Sequence, residues 1–455
     1  MTEPRCTVVI VNWNGAALLP DCLAALEQQD LPAGSWRTVV VDNASSDDSL
    51  ALLRRDWPAV EVVANPRNDG FAGGNNVALR HVTTPFAVLL NNDARPARDW
   101  LRNLLEPFDA PGAERLGAVT SKVLFLPGFV ELALDVPPFS APGDGRELGV
   151  QVGQVQVERG GRLEDVTDHV LWESLTYGAE GVGEGRFRWT RPRGTLLLPV
   201  SADGSRPDGP VRVAVRMWAQ RPVTATLRWD GGEASWEVGT EPAVHELVLP
   251  AGAPVVDVVN NVGGLVLPEG YGADRGYQEV DRGQYDDACE VFTACGAAVA
   301  FRTEAIRGVG YFDDDFFLYY EDCDLSWRLQ AQGWTVRYEP TAVVRHIHSA
   351  STGEWSPLFT FHVDRNRLLM LTKDATRGLA VREVLRYPLT TLSLLWQVLR
   401  RSLGTRSRPP LRPTLLRLRV IRSFLRLLPR MLARRRQVQA APVPARELQR
   451  WLAPR

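Results

Sequence analysis

Carboxylates and amides follow two apolar runs near the start of the chain, where they could bind a nucleotide. Asp42 ends the run RTVVVD, and a carboxylate at a strand end can accept the ring N–H of a uracil or thymine. Asn91, Asn92 and Asp93 follow the run PFAVLL. An acid two residues after a polar residue can hold a divalent metal that bridges two phosphates. Each pattern taken alone is also explained by a helix cap or a turn.

A glycine-rich segment, NDGFAGGNN at residues 68–76, precedes a helical pattern. Its glycines allow the backbone to approach a ligand closely, and the N-terminus of a helix favours phosphate. The segment is not a G-x-G-x-x-G fingerprint, so we do not expect a dinucleotide site.

Three acids, Glu321, Asp322 and Asp324, stand at the start of a predicted helix beside aromatic residues. Compensation of the helix dipole would explain them, but one of them could also be a general base within reach of a hydroxyl. His346 and His348 follow a later strand, and either could ligate a metal, although an exposed histidine without a ligand is the simpler interpretation.

Residues 5–125 alternate apolar runs with helical patterns, which predicts a parallel sheet covered by helices on both faces. The predicted strands are 7–12, 37–42, 60–64 and 85–90, with a helix at 72–81. Ligands of such sheets bind beyond the carboxyl ends of the strands. The polar residues that follow these strands are therefore expected to share one site.

Residues 128–255 lack helical periodicity and show short alternating runs separated by Gly, Pro and Asp, which predicts a β-sandwich or jelly roll. We therefore predict one half of an α/β domain at 1–127, an inserted all-β domain at 128–255, the second half at 256–375 and a helical tail at 376–455. The inserted domain could bind glycan through tryptophans, although core packing is the favoured role for Trp172, Trp189, Trp218, Trp229 and Trp236.

The net charge of −2 hides a strong asymmetry. From Arg377 to Arg455 the chain has 19 Arg and two acids, a net charge of +17, so the preceding residues carry −19. The regularly spaced leucines of residues 411–432 favour an anionic lipid surface over nucleic acid as the partner of this tail. Five cysteines without a CxxC pair, no secretory signal and no apolar run long enough to span a bilayer predict a cytoplasmic protein, peripheral on the inner face of the plasma membrane.

In this order the motifs resemble those of family-2 glycosyltransferases with the GT-A (Rossmann-like) fold. The similarity is greatest to the bacterial branch of rhamnosyltransferases and galactofuranosyltransferases. The segments that carry it are TVVIVNWNG (7–15), VVVDNASSDDS (39–49), NDGFAGGNN (68–76), VLLNNDA (88–94), YYEDCDLSWR (319–328), GWTVRYEP (333–340) and VVRHIHSAS (343–351). They extend over residues 5–127 and 256–372, about half of the chain.

The resemblance implies a role for each matched residue. Asp322 would be the general base, with Glu321 beside it, and Asp93 and His346 would ligate Mg²⁺ or Mn²⁺, with His348 as the alternative ligand. Asp42 would hold the base. The full set of expected contacts to the nucleotide sugar is Val11, Asn12, Asp42, Asn43, Gly70, Phe71, Asn75, Asn91, Asn92 and Asp93. The expected contacts to the acceptor are Asp324, Trp327 and Arg365.

The implied reaction is an inverting, metal-dependent transfer of a sugar from a nucleoside diphosphate to a glycan or a polyprenyl-diphosphate-linked acceptor of surface polysaccharide synthesis. dTDP-rhamnose and UDP-galactofuranose are the expected donors, and the sequence does not distinguish the two bases. A nucleotidyltransferase would share the nucleotide-binding half but would leave Glu321, Asp322 and His346 without a role. A catalytically inactive glycan-binding scaffold is the other alternative, although such a protein would be expected to have lost Asp93 or another of these residues.

Overall fold

The computed structural model describes residues 3–172, 175–181, 183–347, 356–405 and 411–452. The chain divides into two compact units. The α/β unit comprises Met1–Leu124, Asn260–Gly276 and Gly283–Arg455, and the sandwich unit comprises Phe125–Val259 and Tyr277–Arg282.

Helices and strands alternate at the start of the chain, become all-β in the middle and end in helices. The first part contains β1 (Cys6–Asn12), α1 (Leu19–Glu27), β2 (Trp36–Asn43), α2 (Ser49–Asp56), β3 (Glu61–Asn65), α3 (Gly70–Leu79), β4 (Phe86–Leu90), β5 (Ala94–Pro96), α4 (Trp100–Leu105) and β6 (Leu116–Phe125). The middle contains β7 (Phe129–Asp135), β8 (Gln151–Arg159), β9 (Arg162–Asp165), β10 (Thr176–Glu180), β11 (Phe187–Thr190), β12 (Arg193–Pro199), β13 (Val211–Trp218), β14 (Val223–Trp229), β15 (Gly232–Val238) and β16 (Ala243–Leu249). The last part contains β17 (Val259–Asn261), β18 (Gly264–Val266), β19 (Gly272–Asp274), β20 (Cys289–Glu290), β21 (Ala298–Arg302), α5 (Thr303–Gly308), α6 (Glu321–Ala331), β22 (Thr335–His346), α7 (Pro357–Asp374), α8 (Arg377–Thr405), α9 (Arg412–Gln439) and α10 (Ala445–Leu448).

The main sheet of the α/β unit has the strand order β20-β22-β6-β21-β4-β1-β2-β3. Strands β3, β2, β1 and β4 run parallel, as the uninterrupted apolar runs predict. Strand β21 is antiparallel to β4, and the short β5 pairs with the end of β22. This pairing carries residues 94–96 to residues 344–346, so that the end of β4 and the end of β22 meet.

The sandwich unit has a sheet of order β10-β11-β8-β13-β16 and a second sheet of order β12-β7-β14-β15. Alternate residues of these strands form an aliphatic core that includes Val130, Leu198 and Val213. Trp189 is buried, and Trp172, Trp229 and Trp236 pack against that core. Most of the candidate glycan-binding tryptophans therefore pack in the interior, which is the role that the sequence analysis favours. The α/β fold with an all-β insertion and a helical C-terminal region is confirmed.

Helices α7, α8 and α9 share one apolar cluster with α6. The apolar residues of α9 that enter this cluster include Val420, Phe424 and Met431. The segment 411–432 therefore buries one apolar face inside the α/β unit rather than offering all of it to a lipid surface. No helix in the described part of the chain is long and apolar enough to cross a membrane.

Candidate active site

The carboxyl ends of β1 and β2 are joined by polar side chains. Asn12 and Asp42 face each other in the parallel ladder, and Asn12 Nδ2 donates to Asp42 Oδ1 (3.2 Å) and to Ser45 Oγ (3.2 Å). The backbone N–H of Ser45 donates to Asp42 Oδ2 (3.1 Å), and Asp42 is only 1% exposed. Its carboxylate therefore stabilises the turn after β2. The contact between Asp42 and a nucleotide base stays a prediction.

Asn43 joins the end of β2 to the glycine-rich segment. Its Nδ2 donates to the carbonyl of Gly70 (2.9 Å), and its Oδ1 accepts from Asn65 Nδ2 (2.9 Å) and from the backbone N–H of Asp69 (3.1 Å). A Cβ on Gly74 would lie 2.8 Å from Val11 Cγ1. Glycine at that position therefore lets α3 lie directly on β1, with its N-terminus at the polar edge of the sheet.

Asn75 and Phe71 occupy the first turns of α3 but face different surroundings. Asn75 is buried, and its Nδ2 donates to the carbonyl of Phe71 (2.9 Å) within the helix. A Cβ built on Gly296 would lie 3.2 Å from the Phe71 ring and 3.6 Å from Asp322 Oδ2. The structure thus brings Phe71 close to Asp322, whereas the Asn75 amide is occupied inside the helix.

The ends of β4 and β22 bring together the two predicted metal ligands. His346 Nε2 lies 3.0 Å from Asp93 Oδ1 and 3.1 Å from Asn91 Nδ2. His346 Nδ1 lies 3.3 Å from Asn260 Oδ1, and Asn92 Nδ2 donates to Asn12 Oδ1 (2.8 Å). The second candidate ligand, His348, lies outside the described residues. Within the described ranges, no group of three or more His, Cys, Asp or Glu side chains is arranged to hold a metal.

Asp322 is held at the start of α6 by two backbone donors. The N–H of Cys323 donates to Oδ1 (2.7 Å), and the N–H of Gly296 donates to Oδ2 (3.3 Å). Burial raises the pKa of Asp322, and the nearby charge of Asp274 adds to that rise. A carboxylate with a raised pKa is better matched to taking a proton near neutral pH. Burial, with the charge of Asp322, also holds the pKa of Glu321 well above its ordinary value.

The aromatic residues before Asp322 form a turn with a rare backbone conformation. Phe317, Tyr319 and Tyr320 have φ values of 66°, 67° and 70°, which residues other than glycine seldom adopt. Asn366 of α7 stabilises this turn, because its Nδ2 donates to the carbonyls of Phe316 (2.9 Å), Leu318 (2.8 Å) and Tyr319 (2.7 Å). We infer that Asn366 positions the segment that presents Glu321 and Asp322.

The three expected contacts to the acceptor, Asp324, Trp327 and Arg365, are all buried, and their contact with an acceptor stays a prediction. Asp324 has no exposed surface and pairs with Arg328 (2.7 Å) and Lys373, while Trp327 is buried against Phe292. Arg365 is buried and donates to the carbonyl of Phe316 (2.8 Å). These contacts within the interior stabilise the fold around α6.

One exposed aromatic residue near the site, Trp13, was not singled out from the sequence. Trp13 follows Asn12 directly and is 47% exposed. It therefore lies just beyond the carboxyl end of β1, where ligands of parallel sheets bind. Its signal in the sequence is a tryptophan within the strand-end segment VNWN. The stretch Arg365–Arg367 stands out in the sequence as a run of polar residues, but the contacts of Asn366 with the turn before Glu321 are visible only in the folded chain.

Two family models match the chain: Glycosyl transferase family 2 over residues 7–120, and Glycosyl transferase family group 2 over residues 278–406. Glycosyltransferase AglE of Haloferax volcanii is 24% identical over 119 residues, which are 26% of this chain and 39% of that protein. N-acetylglucosaminyl-diphospho-decaprenol L-rhamnosyltransferase of Mycobacterium tuberculosis is 43% identical over 58 residues, 13% of this chain and 19% of that protein.

Among solved structures, the mannosyltransferase PcManGT of Pyrobaculum calidifontis, determined with GDP-Man and Mn²⁺, is similar at 16% identity and a TM-score of 0.39. The similarity covers 98% of this chain and 79% of that one. The chain spans at most 39% of the length of these two curated relatives.

Proposed function

We propose that this chain, which belongs to glycosyl transferase family 2, transfers a sugar from a nucleoside-diphosphate sugar to an acceptor hydroxyl. The observation that carries the proposal is the meeting of Asp93 and His346, 3.0 Å apart, at the edge of the sheet where the nucleotide-binding motifs end. These two side chains come from the two segments that match family models.

The atoms around His346 fit a divalent metal. With the imidazole proton on Nδ1, the ring donates to Asn260 Oδ1 and Nε2 presents a lone pair toward Asp93 Oδ1. An imidazole nitrogen and a carboxylate oxygen are donor atoms of the kind that bind Mn²⁺, and at 3.0 Å from each other both can reach one ion. A bound Mg²⁺ or Mn²⁺ would act as a Lewis acid on the diphosphate leaving group. Asp93 and His346 would hold it, and Asn260 would orient the imidazole through Nδ1.

Asp322 would act as the general base of this reaction. It takes the proton of the acceptor hydroxyl, the hydroxyl oxygen attacks the anomeric carbon, and the bond from that carbon to the diphosphate oxygen breaks. Attack from the face opposite the leaving group inverts the configuration. The backbone N–H groups of Cys323 and Gly296 donate to the Asp322 carboxylate and fix its direction. The raised pKa of Asp322 suits proton transfer near neutral pH.

The donor is proposed to be a dTDP- or UDP-sugar, such as dTDP-rhamnose or UDP-galactofuranose. The acceptor is proposed to be a glycan or a polyprenyl-diphosphate-linked sugar of cell-surface polysaccharide synthesis, on the cytoplasmic side of the membrane. The mycobacterial relative named for a decaprenol-linked substrate supports this acceptor class. The tail, with its net charge of +17, supports an anionic membrane surface as the place of the reaction.

A screen of donors tests the proposal. Purified protein is incubated with UDP-, dTDP- and GDP-sugars in Mg²⁺, Mn²⁺ or EDTA, and release of the nucleoside diphosphate is measured for the wild type and Asp93→Ala. We expect metal-dependent turnover of one donor and a loss on the order of 100-fold in Asp93→Ala. Absence of turnover with every donor, with or without metal, would favour the glycan-binding scaffold instead.

A further inference from the structure

Helix α8 carries an exposed apolar stripe along most of its length. The seven residues are spaced by three or four positions, so at about 100° per residue they fall within an arc of roughly 80°. Their exposed fractions run from 38% for Leu399 to 81% for Leu403. The stripe consists of Val381, Leu385, Leu389, Leu392, Trp396, Leu399 and Leu403. It extends over about 33 Å at 1.5 Å per residue.

The stripe lies on the side of α8 that faces away from the protein. The buried residues of the helix, including Ala380, Tyr387 and Thr391, lie on the opposite side, and Tyr387 Oη donates to Asp364 of α7 (2.6 Å). Helix α8 is thus apolar on two sides, and only one of them is used in packing. Soluble monomers seldom expose an apolar surface of this length unless it binds something.

The charges around the stripe favour an anionic partner. Helices α8 and α9 contain 14 arginines and one acid, Glu383, which is buried and bonded to Arg367 (3.2 Å). Arg382, Arg386 and Arg400 are exposed and lie along one border of the stripe. Arginines beside a helical apolar face, with a tryptophan within it, are typical of helices that lie in a membrane interface.

We propose that the α8 stripe docks this chain on an anionic lipid bilayer, with its leucines and Trp396 in the acyl region and the neighbouring arginines at the head groups. A second copy of the chain would also cover the leucines, but it would bring arginines against arginines with no exposed acid of α8 or α9 between them. The docking itself is independent of catalysis. It rests on the proposed function only in placing a lipid-linked acceptor at the same surface.

Co-sedimentation of the full chain with vesicles tests this surface. The vesicles contain either 30% phosphatidylglycerol in phosphatidylcholine or phosphatidylcholine alone, and each is used at low and high salt. Leu389→Gln/Trp396→Gln removes apolar surface from the stripe without changing charge. Val244→Gln/Val248→Gln makes the same kind of change on exposed β16 residues of the sandwich and serves as the matched control.

We expect the wild type and the control to bind anionic vesicles, more weakly at high salt, and the stripe variant to bind at least about 10-fold more weakly. Any of three results would overturn the proposal. The stripe variant could bind vesicles as tightly as the wild type, or the wild type could bind neutral vesicles independently of salt. In the third, the wild type would be a dimer that does not bind vesicles, and the stripe variant would be a monomer. Calorimetry with UDP and dTDP in Mn²⁺ is run on the same samples. Vesicle binding without nucleotide binding would reject the proposed function and leave the docking surface standing.

Discussion

The α/β unit and the sandwich unit bury different kinds of side chain. In the described part of the sandwich, the polar side chains that are buried are Gln151, Thr190 and Ser201, and none of them is charged. The α/β unit buries Glu321, His346 and other ionisable groups, several of them close to the ends of strands. Burying a charge costs free energy unless a partner compensates it, so such groups are concentrated where chemistry or positioning needs them. The contrast indicates that the α/β unit carries the reaction and that the sandwich is stabilised by an ordinary apolar core.

The largest expected difference between the units is in the transfer rate after one carboxylate is replaced in each unit. Asp322→Asn is expected to lower the transfer rate by about 10²- to 10⁴-fold, because an amide cannot take the acceptor's proton. Asp165→Asn in the sandwich, where the carboxylate accepts from Thr167, should leave the rate unchanged. Steady-state rates with the donor found in the screen provide the measurement, and comparable losses in the two variants would show that Asp322 has no special part in the reaction.

A cavity in the sandwich core should affect stability and not chemistry. Leu198→Ala removes a fully buried side chain and should lower the free energy of unfolding of that unit by about 2–5 kcal/mol. Leu163→Ala, on an exposed strand of the same unit, should change it by less than about 0.5 kcal/mol. Chemical denaturation gives both values. If Leu198→Ala also weakened donor binding while the protein is folded, the sandwich would have a role in the site.

The pH dependence of the transfer rate should reveal the environment of Asp322. Because burial raises its pKa, the rate should begin to fall at a pH above the ordinary aspartate value of about 4 as the solution is made more acidic. Below that point the rate should drop about 10-fold per pH unit, since the base must be ionised. A rate that stays constant down to about pH 4 would show that Asp322 is not the base.

Glu321 should decrease stability at neutral pH. Its buried Oε2 has no hydrogen-bond partner among the described residues, and its pKa is raised above that of an unfolded chain. The native state then binds more protons than the unfolded state, so stability falls as pH rises through the native pKa. Glu321→Gln should therefore raise the free energy of unfolding by about 1–2 kcal/mol at pH 8, and less at pH 5.

The matched control for this variant is Glu233→Gln on the sandwich surface. Glu233 pairs with Arg228 through half-exposed side chains, and such a pair contributes less than about 1 kcal/mol. Denaturation curves at both pH values separate the two cases. A Glu321→Gln variant that is destabilised at pH 8 would show that the Glu321 carboxylate has a partner that offsets its burial.

The sequence predicts most of the local structure in both units. The runs at 7–12 and 37–42 become Cys6–Asn12 and Trp36–Asn43, and the alternating run Val211–Trp218 becomes a strand with the same bounds. These segments follow hydrophobic periodicity, which is a local property of the chain. The helix predicted at 72–81 extends over Gly70–Leu79, so it begins and ends two residues earlier than predicted.

The contacts between residues distant in the sequence could not be predicted from local patterns. The pairing of residues 94–96 with residues 344–346 fixes the distance between Asp93 and His346, and no local pattern encodes it. Asp324 and Asp322 are alike in sequence, yet one pairs with Arg328 in the interior and the other meets Gly296 at the site. The two residues are two positions apart in α6, about 200° around the helix axis, so they face opposite sides of the helix and meet different neighbours.

We propose that the strand ends of the α/β unit bind a nucleoside diphosphate together with a divalent ion held by Asp93 and His346. Calorimetric titration of UDP and dTDP in Mn²⁺ or EDTA, with the wild type, His346→Ala and the sandwich control His245→Ala, tests it most directly. We expect EDTA and His346→Ala each to weaken nucleotide binding by about 10-fold or more, and His245→Ala to leave it unchanged. Binding that is equally tight in EDTA and in His346→Ala, or no binding of either nucleotide, would contradict it.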